Sequence, residues 1–213
     1  MTTIDQADEI VLAVCEPGPL PWQLPGWCTT DKGKRLVRIA AASGAERCVE
    51  LGVHGGRSLV ALALGLQVAG HGKIEGIDSY SAEDCLEGEL PDEATRQTWV
   101  AMDYEATYAA ATGAIKRHGL EDVASIIRMR GDVRALDYPS GSIDLIHVDG
   151  NHTELVSCRD MTTWLPRMAP KSTWIADDTN WPSMQKALGM LQRAGFRLVE
   201  KGSEGYWSVY ARG

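Results

Sequence analysis

The sequence of 213 residues has few basic side chains, no closely paired cysteines and no long apolar run, and each shortage excludes a class of protein. Its 21 Lys and Arg against 29 Asp and Glu give a formal charge of -8, which argues against nucleic acid as a partner. No stretch approaches the roughly 18 apolar residues of a membrane span, and the amino terminus lacks the basic start of a secretory signal. We therefore expect a soluble, cytoplasmic protein that binds a small molecule and neither nucleic acid nor a membrane.

The five cysteines are scattered and odd in number, and they include no CxxC pair. A zinc site or a redox couple is therefore not indicated, and a reducing compartment fits best. The length suits one domain with a sizeable core, and no internal repeat or low-complexity tract divides the chain. We expect residues 1–213 to form a single domain.

Short apolar segments alternate with longer segments of helical periodicity. The predicted strands are 47–51, 73–77, 123–129, 143–148, 172–176, 196–201 and 206–211, and the predicted helices are 30–42, 58–68, 104–117, 153–165 and 181–194. This alternation is typical of a single-domain α/β protein with a doubly wound, Rossmann-like sheet of seven strands, mostly parallel, that ends in a hairpin. Because ligands bind such sheets at the carboxyl ends of the strands, functional residues are expected in the loops directly after them.

Two segments lie outside this alternation. Residues 1–44 are predicted to form an N-terminal helical segment. If this segment packs on a second copy of the chain, the protein is a homo-oligomer, and this alternative stays open. Residues from about 79 to 100 are acidic and contain Pro and Gly, which is typical of an inserted lid. The acidic residues of this lid either favour a positively charged small molecule or form a solvated surface. The second interpretation is the simpler one. Three tryptophans in or near the lid segments either cover an organic ligand or belong to the core: Trp22, Trp27 and Trp99.

The loop after the first strand, from Glu50 to Ser58, contains three glycines. Glycines let the backbone approach a ligand closely, and the free N–H groups of the following helix favour an anionic group such as a carboxylate. A tight turn that binds nothing is the alternative. Glu50 favours a binding loop, because a carboxylate at the end of a buried strand is hard to explain as core.

Further carboxylates follow the next two strands. Asp78 ends the second strand, where doubly wound folds bind a ribose hydroxyl, and Asp132 follows the third, where it could accept a hydrogen bond from an adenine amino group. Each has a simpler interpretation as a cap or turn residue. Three acids after three successive strands nevertheless indicate a nucleoside pocket.

Another acidic group follows strands four and five: Asp149, Asp177 and Asp178. Three carboxylates at one sheet edge repel one another, and Mg²⁺ with oxygen ligands at about 2.0 to 2.1 Å would neutralise them. Alternatively, Asp149 could only form a hydrogen bond with the backbone at the strand end, and Asp178 could only cap the next helix. His152 could act as a general base, since an imidazole titrates near pH 6.5, or could only support its neighbours. Asp144, within strand four, is expected to support nearby loops.

On these motifs the sequence resembles the class I S-adenosylmethionine (SAM)-dependent methyltransferases, whose first motif is an acidic residue followed by spaced glycines. Glu50, Gly52 and Gly56 match that motif, and His54 and Ser58 suit the catechol O-methyltransferase-like branch. The resemblance covers nearly the whole chain and implies that the Gly52 to Ser58 loop holds the methionine part of SAM. The cofactor-binding residues that it implies are Glu50, Gly52, His54, Gly56, Ser58, Asp78, Asp132 and Asp149. It also implies that the last hairpin strand is antiparallel.

The Asp-Gly-Asn-His sequence at 149–152, followed by Ala176-Asp177-Asp178, is similar to bacterial small-molecule O-methyltransferases of the macrocin type and the cephalosporin-hydroxylase-like group. The resemblance implies Mg²⁺ held by Asp149, Asp177 and Asp178. The candidate catalytic residues are Asp149 and His152. The catechol type has Asp then Asn where this chain has two Asp, a departure still compatible with oxygen ligands.

The expected activity is transfer of a methyl group from SAM to a hydroxyl of a small organic acceptor, in small-molecule biosynthesis. Three alternatives stay open: a metal-independent O- or N-methyltransferase with His152 as base, a nicotinamide oxidoreductase, and a non-catalytic SAM-binding protein. The oxidoreductase is disfavoured because Gly52 to Gly56 does not give GxGxxG and no Tyr-x-x-x-Lys pair occurs.

Overall fold

The computed structural model describes residues 2–16, 18 and 23–213, which form a seven-stranded sheet with helices on both faces. The strands are β1 (Arg47–Leu51), β2 (Lys73–Asp78), β3 (Ala124–Arg128), β4 (Ile143–Val148), β5 (Met168–Asp177), β6 (Arg197–Lys201) and β7 (Trp207–Arg212). Their order is β3-β2-β1-β4-β5-β7-β6, with β7 antiparallel to both neighbours and the other pairs parallel. The predicted fold class and the antiparallel C-terminal strand are confirmed.

The helices are α1 (Ile4–Cys15), α2 (Thr30–Ala42), α3 (Arg57–Ala69), α4 (Ala82–Cys85), α5 (Glu93–Ala101), α6 (Tyr104–Arg117), α7 (Gly131–Arg134), α8 (Glu154–Trp164) and α9 (Gln185–Arg193). The last one begins four residues after the predicted start, because Pro182 forces Trp181 into an extended conformation and a 3-10 turn precedes the helix. Within the described residues, no helix is both long and apolar enough to cross a bilayer.

Two apolar layers cover the sheet. The first contains Val11 of α1, Leu36 of α2 and Leu62 of α3, all fully buried. The second contains Trp164 of α8 and, on the sheet, Trp174. With both faces covered, the central strands β1 and β4 are mostly buried and rich in apolar residues.

Helix α2 lies in close contact with two other helices, and this contact positions one side of the functional site. A Cβ on Gly65 of α3 would overlap the carbonyl oxygen of Val37, and a Cβ on Gly33 would lie 2.6 Å from Val11 Cγ1. At the start of α2, the Thr29 hydroxyl accepts the N–H of Lys32. The first turn of α2 is therefore held in a fixed place.

Asp144 supports neighbouring backbone, as predicted. Its Oδ2 accepts the N–H groups of Glu46 and Arg47 at 3.0 and 2.9 Å. The carboxylate therefore connects β4 to the start of β1, at the end of the sheet away from the carboxyl edge.

We predict that Gly65→Ala destabilises the protein by about 1–3 kcal/mol, because the added methyl overlaps α2 and outweighs the gain in helix propensity. Urea unfolding measures the change. Gly113→Ala in α6 is the matched control: a Cβ there meets nothing within 4 Å, so this variant should be as stable as the parent or more stable. Equal stabilities for the two variants would contradict the tight α2–α3 contact.

Candidate functional site

A cavity of about 760 Å³ lies at the carboxyl edge of the sheet. The predicted site residues that line it are Gly52, His54, Ser58, Asp78, Asp132, Asp149, His152, Asp177 and Asp178. Residues that follow β1, β2, β3, β4 and β5 thus share one cavity. Of the predicted site residues, only Glu50 and Gly56 are not among those that line it.

Gly52 lies where the loops after β1 and β4 touch. Its φ is +82°, and a Cβ would overlap the backbone carbonyl of Asp149, so a side chain is excluded on both counts. The Asp149 N–H donates to the Leu51 carbonyl at 2.8 Å in the same contact. Gly52 therefore brings the glycine loop and Asp149 together.

Asp78 holds the glycine loop through its carboxylate. Oδ2 accepts the N–H groups of Val53 and His54, both at 2.9 Å, and Oδ1 accepts the N–H of Tyr80 at 2.8 Å. His54 and Tyr80 have positive φ, a conformation that these hydrogen bonds help to maintain. Asp78 thus shapes the loop and also faces the cavity.

Glu50 lies beneath the cavity floor. It is fully buried, and its Oε1 is 2.7 Å from Nδ1 of His147, the residue directly across the β1–β4 pairing. Burial raises the pKa of Glu50, and the contact with His147 partly opposes this effect. Gly56 likewise faces away, since a Cβ there would lie 3.1 Å from Ala111 of α6. Neither residue lines the cavity, and their contact with a cofactor stays a prediction.

Asp132 belongs to a network of charges at the far side of the cavity. Arg130 donates to both of its oxygens at 3.1 and 3.0 Å, and Arg159 Nε lies 3.3 Å away. The hydrogen bond from Arg130 lowers the pKa of Asp132, which keeps it ionised. The same two arginines also pair with Asp84 and Glu87 of the predicted lid.

The first part of the acidic lid is attached to the loop after β4. The Asn151 amide donates to the carbonyls of Asp84, Cys85 and Glu87 at 2.9, 3.2 and 2.9 Å. Since Asp84 and Glu87 are already neutralised by arginines, they are not free to attract a cationic acceptor. Much of the acidity of the lid is thus internally compensated.

An aromatic cluster joins three segments at the cavity. Trp27 lies 5.0 Å from the His54 ring and 5.6 Å from Trp99 of α5, between ring centroids. Trp27 remains 64% exposed, so it covers the glycine loop rather than filling the core. Burial lowers the pKa of His54, which favours its neutral form. Trp22 lies outside the described residues.

Lys32 of α2 contacts two of the predicted metal-binding carboxylates. Its Nζ lies 3.3 Å from Asp149 Oδ2 and in direct contact with Asp177 Oδ2, and its side chain is only 6% exposed. Burial disfavours the charged form, but the two carboxylates outweigh it and raise the pKa of Lys32. The ammonium group is therefore charged.

His152 lies between the other pair of acids. Its Nε2 is 3.3 Å from Asp178 Oδ2 and 3.5 Å from Asp149 Oδ1, and its ring packs against Trp181. Burial opposes protonation, yet Asp149 and Asp178 raise the pKa of His152 above its usual value. An imidazole in this setting is a strong proton acceptor when neutral.

The acids after β4 and β5 are candidate ligands of a divalent metal. One donor atom each from His147, Asp149 and Asp177 lie within 4.8 Å of one another. His147 contacts Glu50 through Nδ1, and its buried Nε2 has no hydrogen-bond partner among the described residues. However, the two carboxylates converge on the Lys32 ammonium, and Asp178 is turned to His152. The arrangement fits an ammonium group and does not fit Mg²⁺ held by Asp149, Asp177 and Asp178.

Comparison with known proteins identifies the family. Residues 49–179, more than half of the chain, match a family model described as a methyltransferase domain. The chain therefore belongs to this methyltransferase family, as its class I motifs suggested. A search of curated proteins gave no sequence match.

Solved structures share the fold at low identity. They include cofactor-bound Rv0187 from MTB (15% identical, TM-score 0.62, 98% of this chain and 87% of that chain). Another is an O-methyltransferase from Bacillus cereus in complex with SAH, which is 16% identical with a TM-score of 0.57 and covers 98% of this chain and 90% of that chain. A third is the O-methyltransferase TomG from Streptomyces achromogenes in complex with SAM, which is 17% identical with a TM-score of 0.57 and covers 98% of this chain and 88% of that chain. Each covers nearly the whole chain.

Several residues of the cavity were not predicted from the sequence: Lys32, Arg130, Asn151, Arg159 and the buried Asp160, whose pKa is raised by burial to about 7. For Lys32 a signal exists. It shares a helical stripe with Leu36 and Ala40, four and eight residues later, which are both buried. Arg130 and Arg159 carry no comparable pattern, because their lid partners Asp84 and Glu87 come from distant segments.

We predict that Asn151→Ala releases the start of the lid, because three backbone carbonyls each lose the hydrogen bond from the Asn151 amide. Amide hydrogen exchange should rise across residues 82–88, and stability should fall by about 1–3 kcal/mol. Asn180→Ala, at an exposed position, is the control and should change neither. Unaltered exchange in Asn151→Ala would contradict the anchoring role.

Proposed function

We propose that this protein is a SAM-dependent methyltransferase that transfers a methyl group to a hydroxyl of a small organic acceptor. The observation that supports this most directly is the single cavity at the carboxyl edge, which joins the Gly52 to Ser58 loop, Asp78 and Asp132 to Asp149 and His152. Its volume of about 760 Å³ has room for a nucleoside cofactor and a small second molecule. The SAM and SAH bound to TomG and to the Bacillus enzyme support the choice of cofactor.

The cofactor side is assigned to the loops after the first three strands. Backbone of the loop at Gly52, with His54 and Ser58, receives the methionine part, and the N–H groups at the start of α3 favour its carboxylate. Asp78 binds the ribose and Asp132 binds the adenine edge. Asp149 lies where the cofactor meets the acceptor. Glu50 and Gly56 support this loop from below. Arg130 and Arg159 keep Asp132 ionised and in place.

On the acceptor side we assign proton removal to His152. SAM supplies an activated methyl group when bound, so the chain has mainly to align the acceptor and take up its proton. His152 lines the cavity, and the carboxylates of Asp149 and Asp178 orient its ring and stabilise the imidazolium that forms. Because Mg²⁺ does not fit the present arrangement of acids, no step is assigned to it.

We further infer that the N-terminal segment and the stretch from 79 to 100 act as the cover of this cavity within one domain. Trp27 and Trp99 contribute flat surfaces there, which exclude water from the reaction. The cytoplasmic location, the biosynthetic role and a homo-oligomer stay predictions from the sequence.

We predict that calorimetry detects binding of SAM and no binding of NAD. Asp78→Asn should weaken SAM binding by about 10- to 100-fold, because a carboxylate that accepts both loop and ribose hydrogens is lost. Asp122→Asn, an exposed acid in a distant turn, serves as the control with unchanged affinity. Binding of NAD in place of SAM would support the oxidoreductase instead.

We predict that His152→Gln lowers kcat by about 10²- to 10⁴-fold while SAM affinity is kept, since the proton acceptor is removed. The assay follows SAH release with panels of small phenols, sugars and amines. His71→Gln, on an exposed loop, is the matched control. Full turnover in His152→Gln would remove the base assignment, and SAM binding without any SAH release would favour a non-catalytic binding protein.

A further inference from the structure

The space between Asp149 and Asp177 is filled by a side chain of the protein itself. Lys32 reaches it from the first turn of α2, and its ammonium contacts an oxygen of each carboxylate. Of the cationic groups in the described residues, Lys32 alone forms an ion pair with Asp177. One positive charge is therefore provided to the two acids without an added ion.

Lys32 cannot easily be withdrawn from this position. Its neighbour Gly33 packs against Val11 of α1, and Gly65 of α3 lies against the backbone of α2 at Val37. Withdrawing the ammonium would leave the partly buried Asp177 without its ion pair and Asp149 with His152 alone, which is unfavourable. A divalent cation would have to overcome both effects before it could bind.

We propose that Lys32 is the resident cation of this site and takes the place of a divalent metal. This inference rests on the proposed function for its catalytic meaning. A lysine ammonium has three N–H donors, and Asp149 and Asp177 engage two of them. Since Lys32 also lines the cavity, the third donor is available to bind the acceptor oxygen and to stabilise its developing negative charge.

The role differs from that of a metal in one respect. An ammonium group carries one positive charge and donates hydrogen bonds, whereas a divalent ion carries two charges and polarises its ligand directly. The proton of the acceptor hydroxyl must therefore pass to a base. His152, on the other side of Asp149, is placed to accept it.

The test is a titration with Mn²⁺, followed by electron paramagnetic resonance, on the full chain without cofactor. We predict that the parent protein and Lys34→Met, a control on the same helix, show no specific Mn²⁺ site. Lys32→Met should bind one Mn²⁺ at least about 100-fold more tightly than the parent, because the competing ammonium is gone. Tight binding of one Mn²⁺ by the parent, abolished by Asp149→Asn, would overturn the proposal.

Two further measurements accompany the titration, and the EDTA assay on the parent protein holds even if Lys32→Met does not fold. The double variant Lys32→Met/Asp177→Asn removes one charge of each sign and should recover the melting temperature; a double variant less stable than the single one would count against the charge pairing. Methyl transfer by the parent should persist in EDTA and should fall in Lys32→Met, with partial recovery on addition of Mn²⁺. Loss of the parent activity in EDTA would overturn the proposal.

The two hypotheses fail in distinguishable ways, because the Mn²⁺ titration needs neither SAM nor an acceptor. A parent protein that binds neither Mn²⁺ nor SAM would refute the proposed function and leave Lys32 as the resident cation. A parent protein that binds SAM and also binds one Mn²⁺ tightly would support the proposed function and refute Lys32 as the resident cation.

Discussion

The structure depends on the neutralisation of negative charge at the carboxyl edge of the sheet. Parallel strands bring their ends to one edge, and in this chain nearly every such end carries an acid. Partly buried carboxylates are tolerated only with hydrogen bonds or opposite charges. The partners are of three kinds: backbone N–H groups at Asp78, arginines at Asp132, and Lys32 with His152 at the acids after β4 and β5.

These partners also divide the cavity into regions of different chemistry. Asp78 is held by neutral backbone donors, which is compatible with the ribose contact that we propose for it. Asp132 is fixed by two arginines that also attach the start of the lid, so the proposed adenine side and the lid form one network. On the opposite side, Lys32 and His152 place one cation and one titratable base next to Asp149. The methyl group would pass between these regions.

The helical layer explains how a lysine can occupy such a place. Small residues at Gly33 and Gly65 allow α2 to pack closely on α1 and α3, which brings the first turn of α2 to the sheet edge. From there the long Lys32 side chain reaches across to Asp149 and Asp177. Packing of the scaffold thus determines which cation the acids meet.

The sequence by itself determined the order of strands and helices, because the periods of apolar residues are local properties of the chain. It also placed Asp78, Asp132, Asp149 and Asp177 directly after strands, which is enough to bring them to one cavity. Only the tertiary structure decided that Glu50 is buried against His147 and that Asp178 turns to His152. It alone decided that Lys32 lies between two acids more than 100 residues away in the chain, since such long-range partners follow from how the layers pack and not from any local pattern.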